Sequence, residues 1–325
     1  MSVIKNEIQN NFNLIRDEYR SIFLRKYAFA TCSQVEIAKR RSDGFYDDSV
    51  FEISKLLFKN SFATKDQIAR YLDIENDIEF DKYLDFLEKN KIVNYFVLSE
   101  FEENSALKED DVLKIYTLDF GGLYLLALEG ENTLNWKFTQ YLVGTKLIKK
   151  GLILTELYIS LLKRFRNTDV NIKNYKQFTE MRVSNKRVMS DFELYIQKGA
   201  KRENILGLIV DQDYCDFYLP ETLEDLDLIF KKTNVYEKYY PQGQDDIPQI
   251  MCIIPTSEDK NLIKSISNLF GRKTEFRGSE LSIVCYDDII SSNSNKIKTY
   301  TIRTEEVENK ETIVKIGGTT KNIFN

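Results

Sequence analysis

Apolar residues recur at steps of three and four along several stretches of the first half of the chain, the spacing of helices that bury one face. Ile8, Phe12, Ile15, Tyr19, Ile22 and Tyr27 form the first such stripe. So short a stripe fits a face laid on the next domain better than a dimer seam, although a homodimer stays open. Ser42-Asp43-Gly44 closes this arm. Val50–Asn60 carries the next stripe (Phe51, Ile53, Leu56, Leu57, Phe58), and Thr64 is placed to N-cap a short helix, KDQIARYLDI. A turn through Asn76 leads to a third helix over Phe80–Lys91, with Phe80, Leu84 and Leu87 facing inward. The period then changes to that of strands: Ile92–Leu98 and Val112–Leu118 are β-rich runs joined by the acidic loop SEFEENSALKEDD. Gly121-Gly122 opens an apolar helix. Three helices followed by a two-stranded wing predict a winged helix-turn-helix.

Leu147–Arg166 predicts a long helix whose buried face is Leu152, Leu154, Leu157, Tyr158, Leu161 and Leu162. Beyond about Phe178, strands alternate with helices. Phe192–Ile196, Ile205–Val210, Ile250–Ile254 and Leu281–Tyr286 read as strands; Leu223–Tyr240 and Asp259–Phe270 read as helices. Near-continuous apolar runs such as ILGLIV and IMCII belong in the middle of a sheet. The fold class expected is α+β in five parts: a helical arm (1–41), a winged helix-turn-helix (42–131), a basic helical connector (132–178), an α/β domain (179–290) and a polar, loosely attached tail (291–325).

Composition changes this picture in two ways. The 325 residues contain no histidine, which removes Ser-His-Asp and Cys-His nucleophiles, histidine-ligated metals and imidazole acid–base chemistry. Charge is also segregated. Residues 42–131 hold nine basic and 21 acidic residues, 132–202 hold 15 basic and five acidic, and 203–246 hold three basic and 11 acidic. One basic stretch in an otherwise acidic chain is a local field that recruits polyanions. No apolar run is long enough for a membrane span, the first residues are too polar for a secretory signal, and four cysteines without CxxC spacing suit reduced thiols, so a cytoplasmic location is expected.

The candidate chemistry follows from these counts. The predicted third helix of the winged helix carries Asp77, Glu79, Asp81, Asp85 and Glu88 against Lys82, Lys89 and Lys91, a surface that repels phosphates and suits a protein contact at least as well as DNA. The polyanion candidates are Lys163, Arg164, Arg166, Lys173, Lys176, Arg182, Lys186 and Arg187, interleaved with Phe165, Tyr175 and Phe178. That mixture offers both phosphate contacts and stacking. Asp191, Asp211 and Asp213 sit at strand ends, where carboxylates of neighbouring strands can converge on Mg²⁺ without histidine. Nucleases of the restriction type follow a strand-end aspartate with Glu-x-Lys; here the triplet is Asp211-Gln212-Asp213, and the lysine that would activate water is missing from it. Structural carboxylates are therefore expected, with no catalytic residue, no metal and no cofactor; Mg²⁺ enters only under a nuclease reading.

The ordered segments IYTLDFGGLYLL, GLILTELYISLL, EMRVSNKRVMSDFELYI, ILGLIVDQDY, VYEKYY, IPQIMCIIPTS and LSIVCYDDI resemble the replication-relaxation family of plasmid and mobile-element proteins of Gram-positive bacteria. The resemblance spans roughly Asp47 to Ile290. It implies a winged helix, a helical connector and a restriction-endonuclease-like α/β domain with an incomplete active site. It also implies a non-catalytic protein that binds double-stranded DNA and serves replication, maintenance or transfer of a plasmid or phage-like element, with replication or transfer proteins as further partners. The alternatives are a Mg²⁺-dependent nuclease using Asp191, Asp211 and Asp213, and an adaptor or transcriptional regulator whose winged helix docks a protein.

Overall fold

A computed structural model describes residues 20–22, 32–99, 113–137, 141, 144–183, 186–231, 248–256, 258–271, 281–290, 297–306 and 312–321. The chain divides into two compact units, 1–159 and 160–325, in a mixed α+β arrangement.

In the first unit, α1 (Gln34–Ser42) and α2 (Asp48–Asn60) precede a short strand, β2 (Ala63–Thr64). Then come α3 (Lys65–Leu72), α4 (Ile78–Lys89), β3 (Val93–Ser99), β4 (Leu113–Leu118) and α5 (Phe120–Leu128). Each helix start is capped by a side chain that satisfies an orphan amide. Asp47 accepts from Val50 N at 3.0 Å, and Asp77 from Phe80 N at 2.9 Å. Thr64 and Gln67 form a reciprocal capping box. Val50, Ile53, Leu56, Leu57, Ile68, Leu84, Leu87, Phe96 and Ile115 make the core. Gly121 and Gly122 open α5 because its backbone runs against the chain at Lys91 and Ile92: a Cβ would lie 2.6 Å from the Lys91 carbonyl oxygen at Gly121 and 2.5 Å from that of Ile92 at Gly122.

Two expectations for this unit are corrected. Arg20–Ile22, the described part of the predicted N-terminal helix, is a strand (β1) pairing antiparallel with β3 through Arg20↔Ser99 and Ile22↔Val97, so the sheet order is β1-β3-β4-β2. The other positions of that stripe lie outside the described residues. Ser42-Asp43-Gly44 ends α1 and starts no new domain: Ile37 of α1 is buried, Arg41 donates to Glu129 at 2.7 Å, and Arg40 bonds Asn90. A helix end rich in turn residues reads like a linker until its packing is known.

The long helix α6 (Thr145–Phe165) begins in the first unit. Every residue from Gly151 to Leu161 is buried. Its polar side chains are satisfied within the unit: Thr155 donates to the Phe62 carbonyl at 2.6 Å, Gln67 donates to the Leu152 carbonyl at 2.9 Å, and both guanidinium nitrogens of Arg70 reach Glu156.

The second unit is a seven-stranded sheet in the order β11-β10-β9-β8-β7-β6-β5. Its strands are β5 (Val170–Val183), β6 (Lys186–Lys198), β7 (Lys201–Ile209), β8 (Gln249–Ile254), β9 (Leu281–Cys285), β10 (Ile297–Glu306) and β11 (Thr312–Lys321). β7, β8 and β9 are parallel and the rest antiparallel. Helices α7 (Gln212–Phe217) and α8 (Leu219–Lys231) fall between β7 and β8, α9 (Lys260–Gly271) between β8 and β9, and α10 (Tyr286–Ile290) follows β9. Leu206, Leu208, Val210, Leu219, Leu226, Ile250, Ile254, Ile266 and Ile283 belong to one buried cluster that joins helices to sheet.

Here too the predicted boundaries move. The helical connector ends at Phe165, and 170–183, read partly as connector, is a 14-residue strand. The expected tail contributes β10 and β11; β10 pairs with β9 from Thr299↔Val284 to Ile302↔Leu281. A backbone ladder needs few apolar side chains, and here Ile302 and Ile316 are set among Lys, Thr, Glu and Gly, so the hairpin leaves only a weak hydrophobic signature. The predicted helix over Leu223–Tyr240 starts earlier, at Leu219, where Pro220 fits the first turn because its missing N–H would have no partner there. Tyr236 lies outside the described residues.

Candidate nucleic-acid interface

The basic residues singled out by sequence divide into three places, all in the second unit. Lys163 and Arg166 are exposed around the end of α6. Arg164, between them, is half-buried: its guanidinium donates to the Asp288 carbonyl oxygen of α10 at 3.4 Å, and burial lowers its pKa from the ordinary arginine value. Arg164 therefore braces α10, and in this it differs from its exposed neighbours Lys163 and Arg166.

The other five lie on the β5–β6 hairpin. Lys173 is exposed at a bulge where the register shifts between Ile172 and Asn174. Exposed Lys176 stands opposite Glu193 in the ladder. Burial raises the Glu193 pKa, and the Lys176 charge opposes that rise. Arg182 and Arg187 are direct cross-strand partners near the hairpin end, beside the terminal pair Val183↔Lys186. Their side chains are 73% and 62% exposed.

The hairpin end stands apart from the rest of the sheet. β6 pairs with β7 only from Phe192↔Gly207 to Lys198↔Lys201, so among the described residues Lys186–Ser190 has β5 as its only strand partner. An unbroken pleat would put Val188 and Phe192 on one face. Phe192 covers Gly207, where a Cβ would fall 1.7 Å from the ring, but Val188 and Met181 join the cluster around Leu206 on the opposite face. The left-handed φ of Phe178, 54°, marks this turn-over. The hairpin end thus lays Met181 and Val188 on the helix-side core and presents Glu180, Arg182 and Arg187 on its other face.

Asp191 anchors the root of this arm. Where β6 leaves the β7 ladder, its carboxylate accepts the Ile209 backbone N–H at 2.7 Å, replacing the strand partner that amide would otherwise lack. Asp211 accepts from Tyr214 N at 2.7 Å and N-caps α7; Asp213 is exposed in the first turn of that helix. Asp191 and Asp211 both act on the Tyr214 hydroxyl, whose pKa is pushed up to about 12, chiefly by burial. Among the described residues no three Asp, Glu, Cys or His side chains are gathered to hold a metal ion, and Asp213 is not drawn in with the other two. No helix among them is long and apolar enough to cross a membrane.

In the first unit, the exposed surface of α4 is acidic. Glu79, Asp81 and Asp85 face solvent with Lys82 and Lys89, Lys82 pairs with Glu79 at 2.6 Å, and Lys65 pairs with Asp81 at 2.6 Å. Ile74, in the turn before it, and Ile78, its first residue, are 44% and 72% exposed. Burial, then the charges of Asp81 and Asp85, raises the pKa of Tyr116.

Sequence reading missed Glu180, which bonds both hairpin arginines, and missed the backbone role of Asp191. The spacing Glu180-x-Arg182…Arg187 carries the first signal, once β5 and β6 are paired with Arg182 opposite Arg187. Comparison with protein-family models, with curated proteins and with solved structures found no match.

Proposed function

We propose that this is a non-catalytic DNA-binding protein that grips duplex phosphates through the β5–β6 hairpin. The observation that carries the reading is the exposed cross-strand pair Arg182 and Arg187 at the end of a two-stranded arm. Two-stranded ribbons fit a DNA groove, and arginine fits phosphate oxygens with paired donors. Lys173, Lys176 and Lys186 extend the positive charge along the same hairpin. The antiparallel order β5-β6-β7, followed by parallel β8 and β9, supports reading the second unit as a nuclease-like scaffold. The engagement of Asp191 by Ile209 N–H and of Asp211 by Tyr214 N favours structural over catalytic use of those carboxylates.

The first unit acts as a winged helix in this reading. The order α2, β2, α3, α4, β3, β4, with β2 paired to β4 and β4 to β3, supports it. Its third helix, α4, docks a protein and not DNA, because its exposed carboxylates repel phosphate and two isoleucines at its start offer apolar anchors. The resemblance to replication-relaxation proteins puts this activity in the replication, maintenance or transfer of a mobile element, in the cytoplasm.

Titration of random duplex DNA across salt tests the reading. Affinity should fall steeply with salt, with a log–log slope of about 0.9 per phosphate contacted, and supercoiled plasmid should stay intact with Mg²⁺ present. Absence of binding at low salt would overturn it.

A further inference from the structure

The two exposed arginines of the hairpin are already occupied by a carboxylate of the same hairpin, Glu180 of β5. Glu180 Oε1 accepts from Arg182 Nε at 2.6 Å, and Glu180 Oε2 lies 2.7 Å from an Nη of Arg187. Strand geometry enforces this grouping. Glu180 and Arg182 are two residues apart and share a face, Arg187 is the partner of Arg182, and Met189 is the partner of Glu180. The Glu180–Arg187 contact is the diagonal one, within reach of long side chains.

We infer that Glu180 is an internal stand-in for a phosphodiester: its carboxylate holds the Arg182–Arg187 pair closed, and a nucleic-acid phosphate displaces it to open a two-arginine clamp. This rests on the DNA-binding reading and gives it a residue-level regulator. The chemistry is an exchange of one oxyanion for another. A carboxylate bridges two guanidiniums through its two oxygens, and a phosphodiester offers two non-bridging oxygens to the same donors. The three side chains are solvent-accessible, so the exchange needs no backbone movement. The arginines hold the Glu180 carboxyl below the usual carboxylate range, Arg182 contributing most, so the carboxylate stays charged at neutral pH and competes as an anion. Free phosphate offers the same oxygens, but without the neighbouring contact that exposed Lys176 can make along a strand of DNA.

Glu180→Gln, Arg182→Ala/Arg187→Ala and a single-charge control, Asp169→Asn in the exposed turn before β5, separate the outcomes in the full-length protein. Removing two exposed ion pairs from the competition should tighten random duplex binding about three- to tenfold in Glu180→Gln, and steepen the salt slope by about one contact. Asp169→Asn should change affinity less than twofold, and the gain from Glu180→Gln should vanish when both arginines are alanine. Inorganic phosphate, tested alone and as a competitor, reports whether the clamp takes a free anion; displacement of DNA by millimolar phosphate in Glu180→Gln but not in the unaltered protein would also support the inference. Equal affinities for Glu180→Gln and the unaltered protein, with the double alanine variant weakened, would overturn the closed-clamp inference and leave the DNA-binding reading standing. Loss of DNA binding in none of the variants, or no binding by any protein including Glu180→Gln, would overturn both.

Discussion

Helix α4 and the β5–β6 hairpin are both charged, exposed elements, and both satisfy part of their charge internally. On α4, Glu79 pairs with Lys82 and Asp81 with Lys65 of α3, and the carboxylates remain in excess. On the hairpin end a single glutamate is shared by two arginines, and Lys186 adds to the excess of positive charge. Under the proposed function, the helix in the place of a DNA-reading helix carries the wrong sign for phosphate, and an element with no motif signature carries the right one. Placement of net charge on an exposed element, more than the silhouette of a motif, decides which surface meets phosphate.

The largest expected effect tests that contrast by reversal. Each phosphate contact contributes about eightfold at 0.1 M salt for a slope of 0.9, so Arg182→Glu/Arg187→Glu should weaken random duplex binding on the order of fiftyfold. Electrophoretic mobility or anisotropy titration would measure it; a change below about threefold would move the interface elsewhere. Next comes the arm's root. Asp191→Ala leaves the buried Ile209 N–H without its acceptor and should destabilise the second unit by about 1–3 kcal/mol in urea unfolding, with DNA affinity falling in parallel as the arm loosens. Unchanged stability would remove Asp191 from that role.

On the other side of the comparison, Glu79→Ala/Asp85→Ala on α4 should shift DNA affinity by no more than about threefold, upward, by relieving long-range repulsion. A loss of affinity would return α4 to the DNA surface. The smallest effect is a pH signature. Cys215 shares the core cluster with Met181 and Val188 under the hairpin, and burial, with Asp216 adding to it, pushes its thiol up to about 11 from 9.0. The folded state holds the neutral form, so its contribution is complete below pH 9 and is lost as pH rises towards 11. Iodoacetamide should leave Cys215 unmodified at pH 8 in the intact protein and reach it faster in Asp191→Ala; equal rates would break the link between root and core.

Much of the fold was readable because burial leaves a pattern. ILGLIV, IMCII and LSIVC are central parallel strands, and apart from Ser282 their sequence is apolar. The Thr64 cap and the third helix followed from spacing alone. β5 was not readable, and the reason lies in two residues. The bulge at Lys173 shifts the alternation once, and the left-handed Phe178 interrupts it again, so no long window of VNIKNYKQFTEMRV keeps a period of two. β10 and β11 escaped because their few apolar residues, such as the facing pair Ile302 and Ile316, are set among Lys, Thr, Glu and Gly. The candidate residues were found as a basic stretch, but their grouping was not, since grouping depends on the unread strand. It separates Arg164, spent on Asp288, from Arg182 and Arg187, which face each other across the hairpin. Asp211 follows the end of β7 as expected, but Asp191 lies inside β6 and not at a strand start, because β6 runs on to Lys186 beyond the β7 ladder; only the structure assigns the oxygens of both to backbone amides.

The central claim is that the hairpin, and not α4, holds DNA. The most direct measurement is the salt dependence of random duplex affinity for the unaltered protein, for Arg182→Ala/Arg187→Ala and for Glu79→Ala/Asp85→Ala. The account predicts a log–log slope smaller by about two contacts in the arginine variant and unchanged in the α4 variant. An unchanged slope in the arginine variant, with an altered one in the α4 variant, would contradict it.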